Sequence, residues 1–295
     1  MENSEVNVIF RKKLLKTFNY IQEFFEKHNI KYYACGGTAL GAVRHNGLIP
    51  WDDDIDIYVP REDYDRLCFL NDELNKHGYN FVCFENNREY YLPFGKIEDR
   101  KTTLWEVKRY SYITGVYVDI FPLDYYSGTK EDVIKEQNRF YGIFRNYQRS
   151  LESEPISSIL SLLVHGHILT ACNYLQSYFY HPFKNVLYKR LMREIEAARI
   201  RKGEWCVCTP QWRGKIFESE WFKNAKDMVF ENTKIKIPSD YDSYLSLLYG
   251  DYMTPPPLKD RLLAHDAYRY YLNLKEHVVY KDIKKRMAKG EKIVY

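Results

Sequence analysis

The sequence predicts an α+β fold, in which helices flank a mixed β-sheet and a helical insertion follows it. Three observations support this prediction. Helical stretches alternate with short apolar strands in the N-terminal part of the chain, turn-forming residues separate the strands, and long helical patterns replace them from about Thr129. At 295 residues, the chain is long enough for one large domain or for a core domain with a smaller helical one.

The N-terminal elements follow from apolar spacing and from turn residues. The first is a helix over 6–28, because an apolar stripe recurs there at helical spacing, made of Phe10, Leu14, Phe18, Ile21 and Phe25. A strand over 31–35 then leads into a glycine turn. The next elements are a short helix over 38–45, a strand over 55–59 closed by Pro60, and a helix over 62–76 that ends before Gly78.

The later elements divide the chain into three predicted parts, which are 1–127, 128–205 and 206–295. Extended segments over 80–84, 90–97, 102–107 and 115–120 complete the sheet of the first part. The second part is helical through Arg201. The third part contains weak strands over 228–230 and 234–237, a helix over 239–249 capped by Ser239, a helical stretch after three prolines and a basic helical tail.

Composition and charge exclude several classes of function. The net charge of +4 is small, and no stripe rich in Lys and Arg with interleaved aromatic residues is present, so we expect no nucleic-acid partner. The first residues lack a signal-peptide pattern, no uninterrupted apolar run reaches membrane-spanning length, and the six cysteines are scattered. These features indicate a cytoplasmic protein with reduced thiols. A zinc site at Cys206 and Cys208 would lack a second cysteine pair.

The strongest functional signal is a pair of glycines followed by alternating aspartates. Gly36 and Gly37 precede a predicted helix, where backbone N–H groups can hold phosphate oxygens. Asp54 and Asp56 lie two residues apart at the start of a strand, so both side chains face the same way. Two such carboxylates repel each other unless a cation lies between them. The pattern fits neither a P-loop, nor a dinucleotide fingerprint, nor an EF-hand.

A third acid is expected from a neighbouring strand. Asp119, between Val118 and Ile120, is a carboxylate flanked by apolar strand residues. Together with Asp54 and Asp56 it could hold one or two Mg²⁺ (or Mn²⁺) ions, which polarise a phosphoryl group and lower the pKa of an attacking hydroxyl. The alternative is three strand-end aspartates in solvated turns.

The blocks that carry these residues resemble the LicD family of phosphotransferases. The most specific block runs from Gly36 to Asp56 and contains the sequence Trp-Asp-Asp-Asp-Ile-Asp over 51–56. The segment 118–124 is similar to a second family block, and 249–256 with Arg261 and His265 is similar to a C-terminal one. The resemblance covers about residues 15–125 and 210–266. It implies a nucleotidyltransferase-like fold, which the fukutin-related proteins share. It also implies that the C-terminal part of this chain completes the active site.

The resemblance also implies an activity and its site residues. LicD-type enzymes transfer a phosphorylated alcohol, typically phosphocholine, from a CDP-activated donor to a sugar hydroxyl of a cell-surface glycan precursor such as teichoic acid or lipopolysaccharide. Asp54 and Asp56 would then be metal ligands, and Asp119 the third ligand or the general base. The residues expected to contact the substrates are Gly36, Gly37, Thr38, Arg44, Trp51, Lys96, Arg261 and His265.

Alternatives to these assignments stay open at the level of sequence. The alternative for Trp51 is a packing role, and the alternative for Arg44 is an ordinary surface position. His265 could instead cap a helix or lie at the edge of the core. The chain could instead be a nucleotidyltransferase that releases pyrophosphate, or a non-catalytic glycan-binding relative. The apolar segment 156–164 suits either a helical cap or a peripheral contact with the inner face of the membrane, since family acceptors are often lipid-linked glycans.

Overall fold

The fold was analysed on a computed structural model, which describes residues 2–152, 156–199, 201–207, 214–261 and 270–295. The helices in chain order are α1 (Glu2–Lys27), α2 (Gly36–His45), α3 (Arg61–Lys76), α4 (Lys130–Leu151), α5 (Ile156–Val164), α6 (Ile168–Tyr180), α7 (Lys184–Arg199), α8 (Tyr241–Tyr249) and α9 (Tyr280–Ala288). Short 3₁₀ turns lie at His181–Phe183, Ser219–Phe222 and Leu258–Asp260.

The strands in chain order are β1 (Tyr33–Ala34), β2 (Asp56–Pro60), β3 (Tyr79–Val82), β4 (Gly95–Trp105), β5 (Thr114–Tyr126), β6 (Trp205–Val207), β7 (Phe217–Glu218), β8 (Ala225–Phe230), β9 (Thr233–Pro238), β10 (Tyr271–Asn273) and β11 (Ile293–Val294). Within the described residues, β8 and β9 form a separate hairpin, and the other strands join one sheet.

The main sheet is mixed, as the sequence predicts. Its path runs β1-β2-β5-β4-β10-β11, with β2 parallel to β5 and β10 parallel to β11, while the remaining pairs are antiparallel. The α+β class is therefore confirmed. Strands from the C-terminal part complete this sheet, since β6 pairs with β5 and β10 pairs with β4.

Some element predictions are wrong in detail. The two predicted strands over 90–97 and 102–107 are one continuous strand, β4, because its exposed middle residues Arg100 and Lys101 interrupt the apolar pattern without ending the pairing. Helix α8 is capped by Asp240, whose carboxylate accepts the Ser243 N–H, and not by Ser239. The glycine pair begins α2 itself, with Gly36 at a φ of 52°.

The core lies on both faces of the sheet. Helix α1 packs its apolar stripe against the sheet, with Leu14, Phe18 and Ile21 almost fully buried. A second apolar cluster joins Phe84 and Tyr90 to helices α4 and α7. The helical stretch expected from about residue 129 is confirmed, because α4 to α7 occupy it in the described residues.

Two further sequence expectations can be compared with the structure. No helix in the described ranges is both long enough and apolar enough to cross a bilayer. No disulfide joins the cysteines in these ranges, although the Cys68 and Cys83 sulfurs lie 3.7 Å apart. Cys206 is buried, and Cys208 lies outside the described residues.

Candidate active site

Three adjacent strands place one charged side chain each in a single row. Asp56 of β2 pairs in register with Asp119 of β5, and Asp119 pairs in register with Lys96 of β4. Residues opposite each other on neighbouring strands point to the same face of a sheet. Lys96 Nζ donates a hydrogen bond to Asp119 Oδ1 at 2.8 Å. The strand register itself therefore brings two of the predicted acids, Asp56 and Asp119, next to Lys96.

Asp54 joins this row from the residues that lead into β2. Oxygen atoms of Asp54, Asp56 and Asp119 all lie within 4.8 Å of one another. Across the described ranges, this is the only cluster of three or more His, Cys, Asp or Glu side chains with such spacing. Asp119 is buried, whereas Asp54 and Asp56 remain half-buried. The acids that the sequence singled out thus meet at one point that solvent can reach.

The electrostatics of the acid cluster favour a bound cation. Burial raises the pKa of Asp56 well above its usual value, and the neighbouring carboxylates of Asp54 and Asp119 add to the rise. Burial also raises the pKa of Asp119 to about 7, although Lys96 acts in the opposite direction. Three carboxylate oxygens at this spacing are the hard donors that Mg²⁺ and Mn²⁺ prefer. The donor set fits either ion.

The backbone around the acids is held by residues of the glycine block. Thr38 is buried, and its hydroxyl oxygen accepts the Asp56 N–H at 2.8 Å. The Asp119 N–H donates to the Ile55 carbonyl at 2.9 Å. Thr38, expected to contact phosphate, therefore positions the second aspartate with its side chain.

The two glycines have packing roles of their own. The Gly36 N–H donates to the buried Tyr244 hydroxyl at 2.9 Å, so this group of the expected phosphate cradle is already engaged. A Cβ atom at Gly37 would lie 2.5 Å from Asp52 Oδ2, closer than real Cβ atoms approach a neighbour. The left-handed φ of Gly36 explains the first glycine without a ligand, whereas a Cβ atom at Gly37 would only require the end of the Asp52 side chain to move.

A basic cluster lies beside the acids. The Arg261 guanidinium lies over the Trp51 ring at 4.8 Å, and the rings of His45 and Trp51 meet edge to face at 5.8 Å. Arg44 donates to the Tyr252 carbonyl at 2.8 Å. Burial lowers the pKa of Arg44, and the nearby charge of Arg261 lowers it further. Because the two positively charged guanidinium groups repel each other, an anion such as phosphate would stabilise both of them.

Tyr249 connects the basic cluster to the acids. Burial raises the pKa of its hydroxyl, and the charges of Cys35, Asp56, Asp52 and Asp54 contribute to the rise. The same hydroxyl interacts electrostatically with Arg44. Tyr249 is therefore within electrostatic range of both the acid cluster and Arg44. His265, predicted to belong here, lies outside the described residues.

The chain is similar in sequence to known proteins of one family. Residues 29–155 match the family model described as LicD/FKTN/FKRP, nucleotidyltransferase domain. The chain is 27% identical over 272 residues to the lipopolysaccharide cholinephosphotransferase LicD of Haemophilus influenzae, covering 88% of this chain and 95% of that protein. The chain therefore resembles the LicD family, whose domain model covers residues 29–155.

Shorter matches connect this chain to animal relatives. The ribitol 5-phosphate transferases FKRP of mouse and human are 40% identical to it over 50 residues, which is 17% of this chain and 10% of each relative. The family recognised from the aspartate and glycine blocks is thereby confirmed.

A groove lies on the lysine side of the candidate site and is linked to it through Glu106. Lys96 Nζ lies 3.5 Å from Glu106 Oε2, and Glu106 accepts a hydrogen bond from Tyr117. Glu106 in turn lines a groove of about 650 Å³ between the segment 106–109 and helix α5. Its other polar lining residues are Lys108, Arg109, Ser157, Ser158, Ser161, Tyr174 and Tyr270. Lys96, expected to face phosphate, lies between the acid cluster and this groove.

Sequence reasoning missed the residues that hold the segment carrying Trp51 and the first aspartates. The Arg11 guanidinium on α1 donates to the carbonyl oxygens of Leu48, Ile49, Pro50 and Asp52, at 3.1–3.4 Å. Glu231, at the turn between β8 and β9, accepts the Leu48 N–H at 2.9 Å. Its left-handed φ of 54° is uncommon for a residue other than glycine. Neither residue belongs to a motif, so no local signal could have revealed them.

Proposed function

We propose that this protein transfers a phosphorylated alcohol from a CDP-activated donor to a sugar hydroxyl of a cell-surface glycan precursor, with Mg²⁺ or Mn²⁺. The observation that carries the proposal is the in-register row of Asp56, Asp119 and Lys96, with Asp54 beside it. The relatives named above, one a cholinephosphotransferase and two ribitol 5-phosphate transferases, support phospho-alcohol transfer as the class of reaction.

The acid cluster would hold the divalent cation in this reaction. Asp54, Asp56 and Asp119 supply the carboxylate oxygens, and a bound cation would neutralise phosphate charge and polarise the transferred phosphoryl group. Thr38 keeps Asp56 in place through the backbone. Lys96 stabilises the charge of Asp119 and orients its carboxylate. Asp119 serves either as the third ligand or as the general base that receives the proton of the acceptor hydroxyl. Only an Asp119 that does not coordinate the cation keeps the raised pKa of about 7 that suits the second role.

The basic cluster would bind the phosphates of the donor. Arg44 and Arg261 offer planar guanidinium groups that match phosphate oxygens in pairs. Trp51 carries the Arg261 guanidinium on its ring. This arrangement gives Trp51 the role of fixing an arginine next to the donor. The groove at Glu106 would take the acceptor glycan, since serine and tyrosine hydroxyls and charged groups suit a polyhydroxylated ligand.

Product analysis with the purified protein tests the reaction. We expect CMP release from one of CDP-choline, CDP-ribitol or CDP-glycerol when a glycan acceptor and Mg²⁺ are present. We expect Asp54→Asn and Asp56→Asn each to lower the turnover by at least about a hundredfold, since each removes a charged ligand from the proposed metal site. Circular dichroism should show both variants folded.

Two outcomes would contradict the proposal. Release of pyrophosphate would indicate the alternative nucleotidyltransferase reaction, in which a nucleoside monophosphate stays on the acceptor. Full turnover in the Asp54→Asn/Asp56→Asn double variant would contradict the assignment of the acid cluster. A folded protein without turnover of any donor, and without a thermal shift by Mg²⁺ and CDP-alcohols, would favour a non-catalytic glycan-binding relative.

A further inference from the structure

Helices α5 and α6 pack against each other as a hairpin and expose apolar side chains on their outer face. On α5, Leu160 and Val164 lie one turn apart and both are exposed. On α6, Ile168, Leu175 and Phe179 follow one helical stripe and are also exposed. We call this surface, made of Leu160, Val164, Ile168, Leu169, Leu175 and Phe179, the hairpin face.

The hairpin face is much more exposed than ordinary packing explains. Val164 and Leu169, close to the tip of the hairpin, are each 83% exposed. The face continues into the next turn, because the rings of Phe179 and Phe183 lie 5.9 Å apart, and then into Val186 of α7. Single exposed apolar residues are common on soluble proteins, but a continuous patch of this kind marks a contact surface.

The charge around the hairpin face indicates which kind of partner it fits. The stretch 156–193 contains no Asp or Glu, although it contains Lys184, Lys189, Arg190 and Arg193. Lys189, Arg190 and Arg193 are exposed, and helical spacing puts them on the same side of α7 as Val186. An apolar face with basic residues on the neighbouring helix α7 matches a bilayer with anionic headgroups. The same charges would repel each other across an interface between two copies of the chain.

We propose that the hairpin face is the docking surface of this protein for an anionic phospholipid bilayer. The apolar side chains would enter the boundary between headgroups and acyl chains, and the basic residues of α7 would contact phosphate headgroups. Because no described helix is able to span a bilayer, the contact is peripheral.

The docking surface also explains the position of the groove. Ser157, Ser158 and Ser161 of α5 line the groove, and the exposed Leu160 and Val164 lie on the same helix without lining it. Docking through the hairpin face would therefore hold the groove close to the bilayer surface. If the proposed transferase function is right, the acceptor is a glycan anchored to a lipid in that bilayer. The docking itself does not depend on the transferase function.

Vesicle co-sedimentation with the full chain tests the docking. We expect the wild-type protein to bind vesicles of phosphatidylcholine with about 30% phosphatidylglycerol, and to bind pure phosphatidylcholine vesicles more weakly. The double variant Val164→Ser/Leu169→Ser should bind the anionic vesicles about tenfold or more weakly, since two apolar side chains no longer enter the lipid. Lys189→Gln/Arg190→Gln should lose mainly the salt-sensitive part of the binding.

Phe69→Ser is the matched control. Phe69 on α3 is 86% exposed but lies outside the hairpin face, so its replacement should leave vesicle binding unchanged. Equal vesicle binding by the wild type and the Val164→Ser/Leu169→Ser variant would overturn the proposal, as would the absence of any vesicle binding by the wild type. A dimer in sedimentation velocity that this variant abolishes would show instead that a second copy covers the face.

Turnover with a water-soluble glycan acceptor separates this proposal from the proposed function. We expect the Val164→Ser/Leu169→Ser variant to keep wild-type CMP release there, because neither residue contacts the acid cluster or the groove. Lost vesicle binding with retained turnover supports docking through the hairpin face. Vesicle binding by a wild-type protein that turns over no donor would contradict the transferase function alone.

Discussion

At the scale of single residues, the carboxylates of the acid cluster repel one another, and those of Asp54 and Asp56 belong to half-buried residues. Asp54, Asp56 and Asp119 lie close enough to oppose one another's ionisation, and Lys96 compensates only part of that charge. A folded protein that keeps such a set in the absence of a ligand sacrifices stability at a functional site. The cost should be measurable when no cation is bound.

The first prediction concerns the stability of the cation-free protein. The pKa values of Asp56 and Asp119 are raised in the folded protein above the usual aspartate value of 3.8. As the pH rises past this value, the unfolded chain releases the protons of these two carboxyl groups while the folded state still retains them. The free energy of unfolding should therefore fall as the pH rises from about 4 to about 7. Asp56→Asn removes one of the repelling charges, so we expect it to be more stable than the wild type at pH 8 by ~1–3 kcal/mol.

Thermal unfolding with a chelator at pH 5 and pH 8 measures this difference. The gap between Asp56→Asn and the wild type should be small at pH 5 and larger at pH 8. Added Mg²⁺ should stabilise the wild type, more at pH 8 than at pH 5, and should leave Asp56→Asn nearly unchanged. A wild type that is more stable than Asp56→Asn at pH 8 in chelator would contradict the electrostatic account.

At the scale of elements, the segment between α2 and β2 is irregular but firmly held. Arg11 of α1 binds its carbonyl groups, and Glu231 of the β8–β9 hairpin binds its N–H group at Leu48. The two side chains also lie 3.9 Å apart, at ion-pair distance. One helix and one hairpin thus fix the segment that delivers Trp51 and the aspartates.

The second prediction concerns Arg11 as a positioning residue. Arg11→Met should lower kcat about 10- to 100-fold with a smaller change in KM, because a displaced segment misplaces the acid cluster more than it weakens substrate contacts. Arg11→Lys should recover part of the activity, since one ammonium group can donate to some of the same carbonyl oxygens. Steady-state kinetics with the donor identified by CMP release measures both effects.

Lys12→Met is the control for this prediction. Lys12 follows Arg11 on α1 and is exposed, so its replacement removes the same charge without touching the segment. Unchanged kcat in Arg11→Met, or an equal loss in Lys12→Met, would show that Arg11 does not position the site.

At the scale of the whole molecule, a buried ion cluster joins the sheet to the helical layer. Arg61, at the start of α3, donates two hydrogen bonds to Asp124 of β5, at 2.7 and 3.0 Å, and its guanidinium lies 3.4 Å from Glu85. The hydroxyl of Tyr188 on α7 donates to the Glu85 carbonyl at 3.2 Å. Although burial opposes its charge, Asp124 and Glu85 raise the pKa of Arg61 above its usual range.

The third prediction concerns this ion cluster. Arg61→Met should lower the free energy of unfolding by about 3–5 kcal/mol, since it leaves two carboxylates buried without their main counter-charge. Arg61→Met/Asp124→Leu should recover part of that loss, because it also removes one of those carboxylates. Urea denaturation of the three proteins measures the coupling. A double variant that is less stable than Arg61→Met would contradict this explanation.

Local patterns predicted the part of the site that strand geometry controls. Alternation along a strand puts Asp54 and Asp56 on one side, and a second apolar strand with one acid suggests Asp119 as their partner. By contrast, 208 residues separate the Gly36 N–H from its acceptor Tyr244, and 183 separate Leu48 from Glu231. Contacts over such distances depend on where distant elements pack, which no local pattern encodes.

The sequence by itself determined the α+β class, the resemblance to the LicD family and the identity of the three clustered acids, because apolar periodicity and short motifs act within a few residues. The tertiary structure alone decided the strand register that sets Lys96 against Asp119, and the packing that sets Arg261 over Trp51. It also decided that part of α5 lines a groove while Leu160 and Val164 of the same helix remain exposed. These features arise from the packing of elements that are far apart along the chain.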